Sequence, residues 1–358
     1  MMRISQQNHH LKPDPEGDSM DILSSHTIRD IKEKEWDEFT GFFHPDRLHA
    51  WFRTVEDSGI RSMQYVFIKE RRNLVAAACC FPYRQKTLGI QMPFLEIRSP
   101  LSTSRAFFSC DPQHSHALVT ELEHIQTEEN MKGVLLLNVT GTEVNHLRGH
   151  LSSFTPFPMY ENTYINLPYS DFDDYLSSLS RKIRGNVRNT INKTKKRWKM
   201  KTLATTEFSK WKTVACTLQE YLCRIHNDYR WYLSERFYEA LEKNCKEAAE
   251  LLIIFKDDTP LVCGLTLNSS TICQCRAAGV DPRYREYQAY FLMYYEEIRR
   301  AIERNQKRIY FGTTTYTFKE RMGFEKENLY GFVKMKNPIT DLALKSYITL
   351  SSLWKKRF

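Results

Sequence analysis

The chain has no Cys-x-x-Cys pair, although its 358 residues include nine cysteines. Cys79 and Cys80 are adjacent, and Cys273 and Cys275 alternate as on a strand, so neither pair has zinc-site spacing. An odd, scattered set of this kind reads as buried free thiols in a reducing compartment, not as a disulfide framework. His114 and His116 simply precede a predicted helix, where a surface role is expected, and no metal site is expected. No apolar run approaches the roughly 18 residues of a membrane span. The longest, LVAAACCF at 74–81, reads as a buried strand. The opening stretch is polar through KPDPEGD and lacks the apolar centre of a secretory signal. The expectation is a soluble, cytoplasmic protein. No Ser-His-Asp or Cys-His arrangement is visible, which argues against covalent-nucleophile chemistry.

What is present is charge of one sign in one place. Residues 181–201, RKIRGNVRNTINKTKKRWKMK, hold ten lysines and arginines and no acid. The remaining chain has 42 basic against 43 acidic residues, because 52 − 10 = 42, so the formal charge of +9 resides in this stretch. Ile183, Val187, Ile191 and Trp198 recur at spacings near four and seven, which predicts a helix docked on one side. Arg181, Arg184, Arg188, Lys195 and Lys199 then form a cationic ridge. Ser170 is the expected N-cap, with Asp171, Asp173 and Asp174 in the first turn. A solvated surface helix normally mixes both signs. This ridge instead suits an anionic partner: a carrier's phosphates, a nucleic acid or an acidic acceptor.

The same order of elements is predicted twice. In the second half LLIIFK, LVCGLTLN and TICQCRAAG read as strands, followed by a helix over 286–304. The strand KRIYFG, a short helix at YTFKERMG and the strand NLYGFVKM follow. In the first half a hairpin of MQYVFIKE and LVAAACCFP precedes a helix over 113–130, the strand GVLLLNV, a helix near 143–150 and the strand YINLP. The expected fold is α/β (α+β): two tandem lobes, each a mixed sheet flanked by helices, with a crevice between them. The expected boundaries are a polar tail at 1–24, a lobe at 25–168, a second lobe at 169–338 entered by the basic linking helix 170–200, and a helical tail at 339–358.

Residues 280–324, VDPRYREYQAYFLMYYEEIRRAIERN…IYFGTTTYTFKERMGF, resemble the core of the GNAT acyltransferase superfamily. Val280, Pro282, Tyr284, Arg285, Gly323 and Phe324 stand where that pattern places them. The duplication, the LSRKIRGNVRNTINK helix and FGTTTYTFKERMGF are similar to the double-GNAT branch, with its Fem-like peptidyltransferases and CelD-like acetyltransferases. That resemblance implies tandem GNAT-like lobes and an N-acyltransferase, with no bound cofactor and acyl-CoA as a possible co-substrate. Two departures stand out. Glu286, Gln288 and Tyr290 occupy positions that a CoA-binding loop gives to glycine. Lys319 stands where the superfamily often has a proton-donating tyrosine.

Direct transfer needs an oriented amine, stabilisation of an oxyanion and a route for one proton. The candidate catalytic residues are Lys319, Tyr316, Asp281 and His226. Asp281 also suits capping of the turn that follows it. Candidate binding residues are Arg181, Lys182, Arg184 and Arg188 of the basic run, Arg283, Tyr284 and Arg285, and Thr313, Thr314 and Thr315 at a strand C-terminus. Three functions fit: transfer from an acyl-CoA or acyl carrier to an amine, transfer from an aminoacyl-tRNA, or non-catalytic binding of RNA or an anionic surface. The expected partner is an anionic or carrier-linked substrate, with tRNA a possible one.

Overall fold

The computed structural model describes residues 20–87 and 90–355. Strand β1 (Met20–Ser25) leads through helices α1 (Glu33–Thr40) and α2 (His49–Ser58) to the hairpin of β2 (Gln64–Glu70) and β3 (Asn73–Thr87). Then come β4 (Ile90–Ile97), the short β5 (Phe107–Phe108), α3 (Pro112–Glu128), β6 (Gly133–Thr140), α4 (Gly141–His150) and β7 (Thr155–Asn166). The second half opens with α5 (Phe172–Ser178), α6 (Arg181–Asn192), β8 (Lys201–Thr205), α7 (Phe208–His226) and α8 (Glu235–Cys245). It continues with β9 (Ala249–Lys256), β10 (Thr259–Asn268), β11 (Ile272–Val280) and α9 (Ala289–Glu303). Strand β12 (Arg308–Gly312), α10 (Tyr316–Arg321), β13 (Glu325–Met335) and α11 (Pro338–Lys355) complete the chain.

The predicted order of elements is present in both halves, but the halves do not keep separate sheets. All strands join one mixed 13-stranded sheet, ordered β1-β2-β3-β4-β6-β13-β7-β12-β11-β10-β9-β8, with β5 on β3. The halves meet by exchanging their last strands. The final strand β13 pairs with β6 of the first half, while β7 pairs with β12 of the second. Hydrophobic periodicity marks a strand without naming its neighbour, so this exchange was invisible to the pattern. The boundary expected at 168/169 falls between β7 and α5, and strand pairing crosses it.

Packing crosses it too. One cluster of buried side chains combines Trp36, Trp51, Phe52 and Tyr65 of the first half with Phe208, Phe237, Tyr238 and Leu241 of the second. Trp51 meets Phe237 edge-on, with ring centroids 5.7 Å apart. A second cluster lies under α5, α6 and α9, and a third under α3 and α4.

Two local expectations are corrected. The polar tail expected through residue 24 ends earlier, because Met20–Ser25 forms the edge strand; residues 1–19 lie outside the described residues. The linking segment is two helices, not one. Asp171, not Ser170, caps α5 by accepting from the Asp174 N–H, and Ser180 caps α6 by accepting from Ile183. Between them Leu179 is extended and buried, so its side chain reaches the core at the expense of helical continuity.

Candidate functional site

A parallel strand pair that parts along its length opens a wedge in a sheet, and each half contains one. In the second half β11 and β12 pair only at Ile272↔Arg308, Cys273↔Ile309 and Gln274↔Tyr310. Beyond that point β11 runs on to Val280, while β12 ends at Gly312, whose φ of +71° turns the chain away. Glycine is the residue suited to that left-handed position.

Lys319 of α10 fills the base of this wedge. Its side chain is fully buried, and its Nζ donates to the Phe311 carbonyl at 2.6 Å and the Gly312 carbonyl at 3.3 Å. Burial pushes its ammonium down to about 8. Thr163 of β7 donates to the same Gly312 carbonyl at 2.6 Å. From α9, Tyr294 stacks on Phe311 with centroids 4.6 Å apart, and its hydroxyl lies 3.3 Å from that of Tyr290 and 3.5 Å from Thr315 Oγ1. Thr313 and Thr314 continue the loop above, Thr314 and Thr315 being exposed. The Tyr316 hydroxyl donates to the Glu161 carbonyl at 2.8 Å, so its proton is engaged across the exchanged strand. Lys319, Tyr316 and the three threonines thus gather at one wedge. A buried cation beside a polar opening can stabilise an oxyanion far better than one in water.

The wedge of the first half is closed. There β4 and β6 pair from Phe94↔Gly133 to Ile97↔Leu136 and then part. The gap is filled by Asn138, held at φ +63°, which donates to the Ser102 carbonyl at 3.1 Å and accepts from the Tyr160 hydroxyl at 2.8 Å. Beside it the fully buried Asp46 accepts from Ser102, from Ser104 at 3.0 Å and from Gln274 at 3.1 Å, and Arg276 lies 3.5 Å away. Burial alone would push this carboxyl up; Arg276, with His44, Ser102 and Arg47, holds it below the usual range. Gln274 and Arg276 belong to β11, so the network that plugs one wedge also anchors a wall of the other. None of these residues stood out in the sequence, because buried Asp-Ser-Asn networks have no linear signature.

The other expected residues lie elsewhere. Asp281 caps the 3-10 turn Pro282–Tyr287 and binds the Arg283 guanidinium at 2.6 Å. The Arg283 hydrogen bond holds its carboxyl low, against burial, which makes it a weak base. Arg283 is correspondingly occupied, sharing its guanidinium with the Tyr221 hydroxyl at 3.3 Å. Tyr284 packs against Arg283 and Tyr287, while Arg285 is exposed. His226 ends α7, exposed, and makes no hydrogen bond to a wedge residue among the described ones.

The basic run divides. Val187 is buried, and Ile183, Ile191 and Trp198 pack beside it on the α9 core, as the stripe predicted. Arg181 and Lys182 are exposed at the start of α6. Arg184 and Arg188 turn toward α5, Arg184 donating to the Ser177 carbonyl at 3.1 Å and Arg188 to Asp173 at 3.4 Å. Arg188 lines a depression of about 620 Å³ with Phe172, Asp173, Ile191 and Arg299, all from the second half rather than from between the halves. The later part of the run meets the N-terminus of α9. Thr190 donates to Gln288 Oε1 at 3.2 Å, and the Trp198 ring lies 5.3 Å from that of Tyr287. Between these contacts, Lys193–Arg197 forms a π-helical turn. Such turns are frequent at functional sites.

One buried acid on α9 has no hydrogen-bond partner among the described residues. Glu297 is 2% exposed, and neither of its carboxyl oxygens is hydrogen-bonded. It sits under Gly264, where a Cβ would meet Met293 Sδ at 2.9 Å and Glu297 Oε1 at 3.1 Å. Burial, then repulsion from Glu250, pushes it up to about 8. The folded state therefore keeps a proton that the unfolded chain releases above its ordinary carboxyl range, and stability falls as pH rises from about 4.5 to about 8. Glu297→Gln is expected to flatten this slope and to raise the melting temperature at pH 8. Thermal melts of both proteins across that range check it.

The sequence pattern of the FemAB-like family, described as "Peptidogalycan biosysnthesis/recognition", matches residues 65–353. The chain belongs to this family. Its fold is shared with tandem GNAT proteins. Among solved structures, FemX superposes with a TM-score of 0.60 at 12% identity, covering 90% of this chain and 100% of that one. A tandem GNAT protein from the clavulanic acid biosynthesis pathway gives 0.55 at 8% identity, covering 89% and 99%. The C-terminal domain of a putative lysylphosphatidylglycerol synthetase from Agrobacterium fabrum gives 0.55 at 10%, covering 87% and 95%. No curated protein matches the sequence. At these identities the structural likeness concerns the fold.

Proposed function

We propose that this FemAB-like protein transfers an acyl group, in aminoacyl form, from a tRNA-type polyanionic carrier to an amine acceptor at the β11/β12 wedge. The observation that carries the reading is the N-terminus of α9. There the places a CoA-binding loop gives to glycine hold Glu286, Gln288 and Tyr290, and the chain forms a 3-10 turn. Gln288 adopts a left-handed φ of 57°, and its side chain is engaged by Thr190. A pyrophosphate needs free backbone N–H groups at close approach, which these side chains obstruct. Beside the same helix end lies the later part of the basic run, six cations from Lys193 to Lys201, suited to many phosphates instead of two.

In the reaction, the acceptor nitrogen attacks the carbonyl carbon of the donor ester. The C–N bond forms, the carbonyl oxygen takes the negative charge, and the ester C–O bond then breaks to release the carrier hydroxyl. The leaving oxygen departs with the bonding electron pair and takes up the proton that the amine loses, directly or through water, which makes it the carrier hydroxyl. Lys319 serves the oxyanion by redirecting its ammonium from the Phe311 and Gly312 carbonyls.

Equilibrium binding and thermal melting discriminate the donors. Aminoacyl-tRNA is expected to bind and to raise the melting temperature, with affinity falling steeply as salt rises. Stabilisation by acyl-CoA but not by tRNA would instead favour the CoA-dependent form of the same transfer.

A further inference from the structure

The C-terminal helix α11 packs on the sheet through Leu344 and Ile348, against the cluster of Phe94, Leu135, Val333 and Met335. Its opposite side carries Ile339, Leu342, Tyr347 and Leu350, which are 79%, 66%, 58% and 59% exposed. At the helical repeat of about 100° per residue, these four and Ala343 fall within an arc of roughly 140°. No charge interrupts that arc. Asp341 turns away from it to accept from the Met335 N–H at 2.7 Å, and Lys345 stands at its flank. The result is a helix apolar on two opposite sides, one of which has no partner among the described residues.

The charges nearby say what covers it. From residue 342 to the end, the sequence contains Lys345, Lys355, Lys356 and Arg357 and no acid. A second copy seated on the same face would bring it against cations of the same sign. A lipid surface bearing negative headgroups supplies both an apolar layer and the opposite charge. Among the described residues no helix is long and apolar enough to cross a membrane, so contact would be in the plane of the surface.

We propose that α11 lies in the plane of an anionic lipid surface, its Ile339–Leu350 face in the acyl boundary and Lys345 at the level of the headgroups. The inference rests on α11 alone and is independent of which donor the wedge accepts.

Co-sedimentation with vesicles tests it. The full chain is expected to bind vesicles of equimolar phosphatidylcholine and phosphatidylglycerol and not vesicles of phosphatidylcholine alone. Leu342→Glu with Leu350→Glu should lower the partition coefficient by roughly tenfold or more, since two apolar side chains are withdrawn from the lipid. Both side chains are exposed, so an unchanged melting temperature should accompany that loss. Arg184→Glu with Arg188→Glu, which alters α6 and leaves α11 intact, should bind vesicles like the parent protein. Three results would each overturn the proposal: no binding of the parent to anionic vesicles, parental binding by the α11 variant, or a dimer in light scattering that the α11 variant converts to monomer.

Discussion

Lys319→Met is expected to lower the rate of acyl transfer by about 10²–10³-fold with little change in donor affinity, the size of effect seen when an oxyanion donor is lost. The side chain lies beneath the wedge, bonded to the Phe311 and Gly312 carbonyls, so the proposed role concerns the reacting carbonyl and not the body of the carrier. The pH profile separates this role from a structural one. Lys319 is pushed down to about 8 by burial, so its charge is present at neutral pH and lost as pH rises through that value. The parent enzyme should therefore lose activity above about pH 8, and the residual activity of Lys319→Met should lack that descending limb. Stability moves the other way. Between about 8 and the ordinary lysine value of 10.5, the unfolded chain holds a proton that the folded protein has released, so folding gains stability as pH rises across that window. Melting temperatures of the parent should thus climb relative to Lys319→Met from pH 7 to pH 10, while activity declines. Parallel losses of activity and stability at every pH would contradict the assignment.

Charge reversal in the π-helical turn, Lys193→Glu with Arg197→Glu, is expected to weaken binding of aminoacyl-tRNA by roughly tenfold to a hundredfold. The salt dependence of the residual binding should fall by about one unit of slope per cation removed. The turn is bracketed by Thr190 on Gln288 and Trp198 against Tyr287, so these cations stand at the N-terminus of α9. Arg184 and Arg188 instead face α5, and their reversal should weaken binding less. Filter binding over a range of salt concentrations measures both pairs. Equal effects from the two would assign the run a diffuse electrostatic role with no preferred contact.

The stripe of Ile183, Val187, Ile191 and Trp198 was legible because helical periodicity is written in four residues of one element. Lys319 was legible through FGTTTYTFKERMGF, whose order resembles a known superfamily, and burial then supplied its altered acidity. The exchange of β7 and β13 was not legible, because both strands read as half-buried β whichever neighbour they take. The closing of the first wedge by Asp46, Ser102, Ser104 and Asn138 depends on residues up to 92 positions apart, since 138 − 46 = 92. The division of the basic run depends on where α5 ends. A buried Leu179 breaks the helix there, and Arg184 bonds back to the freed carbonyl of Ser177.

The most direct test of the account is a single-turnover measurement with enzyme in excess over aminoacyl-tRNA labelled in the amino acid, in the presence of a primary amine acceptor. Amine-dependent transfer of label from the tRNA is expected of the parent protein, reduced by about 10²–10³-fold in Lys319→Met. Transfer from an acyl-CoA at a comparable rate with none from the tRNA, or equal transfer by both proteins, would contradict it.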